Sequence, residues 1–74
     1  MPLSGREAEL RRIGARVREL RVAAGPTQQQ VADHLEVHRM TTWRVEHGRF
    51  DLGASQVQRL AALLGVRPSA IIDL

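Results

Sequence analysis

Gln28-Gln29-Gln30-Val31-Ala32-Asp33-His34-Leu35-Glu36-Val37-His38-Arg39-Met40-Thr41-Thr42-Trp43-Arg44-Val45-Glu46 is the stretch that decides the fold of this chain. Thr27 precedes it and Gln30 follows three residues later, the spacing of a capping box that starts a helix. Val31, Ala32 and Leu35 give that helix a short apolar face. The segment from Glu36 to His38 is too brief for a loop and must be a tight turn. A further helix begins near His38 or Arg39 and runs to about Glu46, where Gly48 closes it. Its apolar face is thin: Val37, Thr42 and Val45. Helices joined so tightly cross steeply and need a small residue where they touch, which Ala32 supplies. The turn needs an inward apolar residue, which Val37 supplies. With Thr42 and Val45 inward, Arg39, Met40, Thr41 and Arg44 fall on the outer side.

Working outward, Ser4-Gly5-Arg6-Glu7 is another capping box. Leu10, Ile13, Val17, Leu20 and Ala24 follow at three- and four-residue steps, one apolar stripe on a long first helix. Gly25 and Pro26 end it. On the other side, Phe50 and Leu52 have no period of their own and are expected to plug the core. Ala54, Val57, Leu60, Ala61 and Leu64 mark a fourth helix that ends at Gly65. Pro68 suits the first turn of a short fifth helix carrying Ile71, Ile72 and Leu74. No segment alternates with period two, so the fold class is all-α. Residues 1–74 form one domain, with the central helix pair at about 28–46.

Composition narrows the function. A chain of 74 residues has little room for a substrate pocket and a catalytic shell, which argues against an enzyme. Its 43% apolar and 26% charged residues are the balance of a globular chain rather than a disordered one. With no cysteine, disulfides and thiolate metal sites are excluded. The sequence holds no membrane span and no signal-peptide stretch, so a cytoplasmic protein is expected. All 11 basic residues are arginine, and the formal charge is +3. Arginine's planar fork suits phosphate and guanine edges, although arginine-only usage also follows from a GC-rich genome. One Trp, one Phe and no Tyr leave no stacking platform for single-stranded nucleic acid.

The central pair has the proportions of a helix-turn-helix. From Ile13 onward the chain resembles the Cro/repressor-type helix-turn-helix family, also called the xenobiotic-response-element type. The matching stretches are Ile13-Gly14-Ala15-Arg16-Val17-Arg18-Glu19-Leu20-Arg21, Gly25-Pro26-Thr27-Gln28, Val31-Ala32, Arg44-Val45-Glu46-His47-Gly48 and Leu60-Ala61-Ala62-Leu63-Leu64-Gly65-Val66. Their shared order and spacing carry the resemblance. It implies a compact five-helix, lambda-repressor-like domain whose third helix enters the major groove of double-stranded DNA. His38, Arg39, Met40, Thr41 and Arg44 occupy the places that face base edges, with Arg39 first in line for a bidentate contact to guanine. Thr27 and Gln28 start helix two, where the family grips phosphate, and the free backbone amides there add to the grip. Arg49 stands where phosphate is often contacted. Trp43 joins the phosphate contacts through its indole N–H, though it also reads as a cover on the edge of the core or as a protein contact. Arg21 and Glu46 take the places of an internal, partly buried ion pair.

Two residues depart from the family pattern. Glu36 stands where glycine is usual, at a turn position that needs a positive φ. Thr42 stands where Ile or Val is usual; this is tolerable, because a buried hydroxyl can bond back to a carbonyl one turn earlier, but it weakens the core a little. The histidines His34, His38 and His47 do not make a metal site, because the turn separates the first two and no cysteine completes a ligand set. Asp33, Glu46 and Asp51 have no nucleophile to serve, so they read as solvated or structural charges.

The resemblance implies a sequence-specific regulator of transcription. It is expected to be a repressor, acting as a homodimer on a two-fold symmetric operator without cofactor or small-molecule ligand. Ile71-Ile72-Asp73-Leu74, with Leu63, either closes the core or forms the dimer surface. Restriction–modification controllers have this length, and His38-Arg39 resembles the start of their third helix. Phage repressors, antitoxins and the DNA-binding part of a longer regulator fit the same physics. The rival of another class is a protein–protein adaptor, which predicts no donors on the outer face of helix three; Arg39 and Arg44 argue against it.

Overall fold

The computed structural model describes residues 2–72. Its helices are α1 (Gly5–Ala24), α2 (Gln28–Leu35), α3 (Arg39–Glu46) and α4 (Ala54–Leu64), followed by a single 3₁₀ turn, Pro68–Ala70. No strand occurs among the described residues. The expected fifth helix is therefore only this 3₁₀ turn as far as the described residues extend. Leu74 and Asp73 lie outside them.

Local chemistry sets the boundaries. The Glu7 amide donates to Ser4 Oγ at 3.1 Å, which caps α1. At α2 the box is reciprocal: the Gln30 amide donates to Thr27 Oγ1 at 3.1 Å, and the Thr27 amide to Gln30 Oε1 at 2.8 Å. Helices α2, α3 and α4 end alike. In each, the amide just past a left-handed residue bonds five positions back around the turn: Val37 to the Ala32 carbonyl, Arg49 to Arg44 and Val66 to Ala61. Gly48 and Gly65 hold the left-handed position in two of these ends. Glu36 holds it in the third, with φ 58° and ψ 42°. The turn of the motif thus keeps the geometry that glycine serves elsewhere in the chain, with a side chain that strains it.

The core gathers Val17 of α1, Val31 and Leu35 of α2, Val45 of α3 and Val57, Leu60, Ala61 and Leu64 of α4. Ala32 is fully buried. Of the α1 stripe, Val17 is buried and Ile13 and Leu20 pack beside it, whereas Ala24, at the last helical position, is exposed. Leu52 enters the core but Phe50 does not; it remains 37% exposed. The interior left beside Leu52, Val45 and Leu60 is a cavity of only about 10 Å³, far too small for a phenyl ring. Ile71 is buried and closes the core, with Ile72 and Leu63 packed at its edge.

That same cavity is lined by Thr42, whose buried Oγ1 has no hydrogen-bond partner among the described residues. The back-bond open to such a hydroxyl is not made among the described residues. The carbonyl one turn earlier, His38 O, is engaged by the Thr41 amide at 2.8 Å.

Two features press α1 against α3. Gly14 is buried, and a Cβ there would collide with the Val45 carbonyl oxygen and the Glu46 carbonyl carbon, so glycine lets the backbones touch. Further along, Arg21 Nε donates to Glu46 Oε2 at 2.6 Å and Arg21 Nη2 to Glu46 Oε1 at 3.0 Å. Gln28 Nε2 also donates to Glu46 Oε1, at 3.2 Å, and Arg21 Nη1 to the Pro26 carbonyl, at 3.2 Å. The Glu46 side chain is 0% exposed and that of Arg21 12%. Hydrogen bonding to Glu46 raises the Arg21 guanidinium above its ordinary value; burial opposes the shift, and the carboxylate's charge reinforces it.

Thermal unfolding followed by circular dichroism tests these features. Glu46→Gln strands Arg21 and is expected to lower stability by about 3–5 kcal/mol; an unchanged melting temperature would show that the pair contributes nothing. Glu36→Gly relieves about 1–2 kcal/mol of left-handed strain and returns about 0.5–1 kcal/mol in unfolded-chain freedom, so a modest gain is expected. Thr42→Val removes a buried unpaired hydroxyl and is expected to add about 1 kcal/mol, a rise of about 4–8 °C for a domain of this size.

Candidate nucleic-acid interface

The His38 imidazole caps α3: the Met40 amide donates to its Nδ1 at 3.1 Å. Because Nδ1 accepts, the ring proton of neutral His38 sits on Nε2, and the exposed ring offers an N–H donor at the start of the helix. Arg39, Met40 and Arg44 are exposed along the same outer face. None of Arg39, Arg44 or Arg49 forms a salt bridge among the described residues. The only carboxylate on α3 is Glu46, buried and bonded to Arg21. Among the described residues, the outer face of α3 is therefore a strip of donors and positive charge that no acid pairs with.

Thr41 departs from this set. It is half-buried and lines the internal cavity beside Thr42. At 100° from a fully buried neighbour, it lies on the border of the helix rather than on its outer face.

The start of α2 meets the start of α3. Thr27, Gln28 and Arg39 share one cleft with the Gly25-Pro26 connection. Thr27 Oγ1 accepts the Gln30 amide, which leaves its hydroxyl hydrogen free to donate. Gln28 is half-buried and turned inward, with one amide hydrogen given to Glu46. The sequence treats Gln28 as a phosphate contact; in the fold it also braces the ion pair.

Trp43 is half-buried and lies in the groove between α1 and α3, with Ala15, Val22 and Ala23. Its indole stacks on the His47 ring, with centroids 3.9 Å apart and planes at 18°. The Arg49 guanidinium carbon is 5.8 Å from the indole centroid. His47 was legible as a neighbour of Trp43, since residues four apart share a helix face. Arg11 joins this end of α3 with no sequence signal: Gly48 packs directly on it, and Arg11, His47 and Arg49 line one cleft.

The carboxylates have structural partners. Asp33 accepts from Gln29 Nε2 at 2.8 Å, and Asp51 pairs with Arg6 at 3.2 Å. Among the described residues no three or more His, Cys, Asp or Glu side chains gather as metal ligands, and no helix is long and apolar enough to cross a membrane.

Residues 12–71 match the family model of a helix-turn-helix domain. Among solved structures, the restriction–modification controller protein C.AhdI from Aeromonas hydrophila is 31% identical, over 88% of this chain and 98% of its own, with a TM-score of 0.81. The hypothetical transcription factor NHTF from Neisseria is 29% identical, over 97% of this chain and 83% of its own, at a TM-score of 0.75. The clp gene regulator ClgR from C. glutamicum superposes at a TM-score of 0.78 over 96% of this chain and 88% of its own, and at 21% identity that likeness concerns the fold alone. No curated protein matches the sequence significantly. On the family match, which spans most of its length, the chain belongs to the helix-turn-helix domain family.

Proposed function

We propose that this chain is a sequence-specific, double-stranded DNA-binding regulator of transcription, working in the cytoplasm as one helix-turn-helix unit over residues 1–74. The observation that carries the proposal is the outer face of α3, where Arg39 and Arg44 stand exposed and form no salt bridge among the described residues. In this motif the second helix of the pair lies in the major groove. His38, Arg39, Met40 and Arg44 then meet base edges, and half-buried Thr41 reaches them only at the margin. Thr27, Gln28, Trp43 and Arg49 flank that strip as phosphate contacts.

The regulator acts as a repressor, because a bound domain of this size excludes other proteins from a promoter. It binds as a homodimer to a two-fold symmetric operator, using the surface around Leu63 and Ile72. The likeness to C.AhdI supports a controller of a restriction–modification operon as its setting.

Selection from a randomised duplex pool at near-physiological salt tests this. A two-fold symmetric motif is expected, with half-sites about 34 Å apart. Arg39→Ala is expected to relax one guanine position and to weaken binding by about 1–3 kcal/mol. A pool that enriches no motif would overturn the reading in favour of a protein partner.

A further inference from the structure

His38 stands just before the first residue of α3, and its exposed ring is already engaged on one side. The Met40 amide, one of the first amides of the helix that have no carbonyl partner within it, donates to Nδ1 at 3.1 Å. An amide only donates, so Nδ1 holds its lone pair there. Turning the ring over would set a C–H against that amide and leave it unsatisfied.

Serine, threonine, aspartate and asparagine are the usual residues at such a position. Ser4 and Thr27 cap α1 and α2 in that way. A histidine differs from them because its ring carries a second nitrogen on the opposite side. With Nδ1 fixed as the acceptor, the proton of the neutral ring sits on Nε2. An unengaged imidazole turns either a donor or an acceptor outward. Here the backbone has removed that choice: His38 offers one outward N–H, in a fixed place, and no outward acceptor.

The edges of the bases in the major groove decide what a lone donor recognises. Cytosine presents an amino donor, which an N–H cannot meet. Thymine presents O4 beside its methyl group, an edge that suits an apolar side chain such as Met40. Guanine and adenine both present N7 as an acceptor. One ring N–H therefore suits N7 and does not tell the two purines apart. Arg39, the next residue, has a fork that takes N7 and O6 together and so selects guanine. The two neighbours then divide the reading, His38 by purine and Arg39 by guanine.

We propose that His38 both caps α3 and, through Nε2–H, reads the N7 of a purine in each half-site of the operator, accepting guanine and adenine and refusing the pyrimidines. The proposal rests on the DNA-binding reading above and names what one of its base-facing residues recognises.

Replacing each purine of the selected operator in turn by its 7-deaza analogue tests this, because the analogue keeps its base pairing but carries a C–H in place of N7. Affinity is read by fluorescence anisotropy on the full chain. The wild type is expected to lose about twofold to tenfold at the purine that faces His38, the worth of one hydrogen bond. His38→Ser keeps a cap, so its melting temperature holds, but it binds the natural and the 7-deaza duplex equally at that purine. In the same variant the loss at the guanine facing Arg39 remains. His38→Ala removes the cap as well and is expected to lower the melting temperature by about 4–8 °C. If no 7-deaza replacement weakens the wild type more than it weakens His38→Ser, the N7 reading is overturned while Arg39→Ala still relaxes its guanine position. If the wild type enriches no motif and binds no duplex, the DNA-binding reading fails and the role of His38 as a reader fails with it.

Discussion

One carboxylate holds three helices in place. Glu46, at the last position of α3, takes two hydrogen bonds from Arg21 near the end of α1 and one from Gln28 at the start of α2. Arg21 spends its remaining reach on the Pro26 carbonyl in the connection between them. A buried carboxylate without such partners costs several kcal/mol, whereas here its donors are supplied from both sides. The pair adds little net stability over an apolar replacement, but breaking it leaves a buried charge. Its effect is geometric. It fixes the carboxyl end of α3 against α1, Gly14 allows the two backbones to touch, and the outer face of α3 is thereby aimed away from the domain.

The rest of the domain accepts local cost to keep that arrangement. Glu36 adopts a left-handed conformation in a turn whose hydrogen bonds match those at Gly48 and Gly65. Thr42 buries a hydroxyl with no partner among the described residues, beside a small cavity. Both lie in the helix-turn-helix itself, Glu36 in its turn and Thr42 on the buried face of α3. A domain of this size has only a few kcal/mol of stability to lose, so the well-formed caps of α1 and α2 and the Val17, Val31 and Leu60 contacts at the centre carry the fold.

The chemistry of the exposed face follows from which backbone groups the side chains already serve. His38 gives its Nδ1 lone pair to the Met40 amide and turns an N–H outward. His47 gives its Nδ1 proton to the Trp43 carbonyl and turns a lone pair outward. The two ends of one eight-residue helix thus present a donor and an acceptor from the same residue type. Between them Arg39 and Arg44 are left free because α3's only acid is buried.

The four α-helices, the N-terminal caps of α1 and α2 and the positive φ at Glu36 were legible in the sequence, because capping and apolar spacing are local and act within a few residues, whereas the expected fifth helix is only a 3₁₀ turn as far as the described residues extend. The outer placement of Arg39, Met40 and Arg44 followed from the same period. Thr41 did not, since its neighbour's depth of burial, not the period alone, puts it on the border. Phe50 and Leu52 look alike in sequence, and only the volume left in the core admits one and excludes the other. The loss of Thr42's hydrogen bond and the meeting of Arg11 with His47 and Arg49 were decided by the tertiary structure alone. Each depends on what another helix or a packed interior leaves available, and contacts between distant parts of a chain have no period to read.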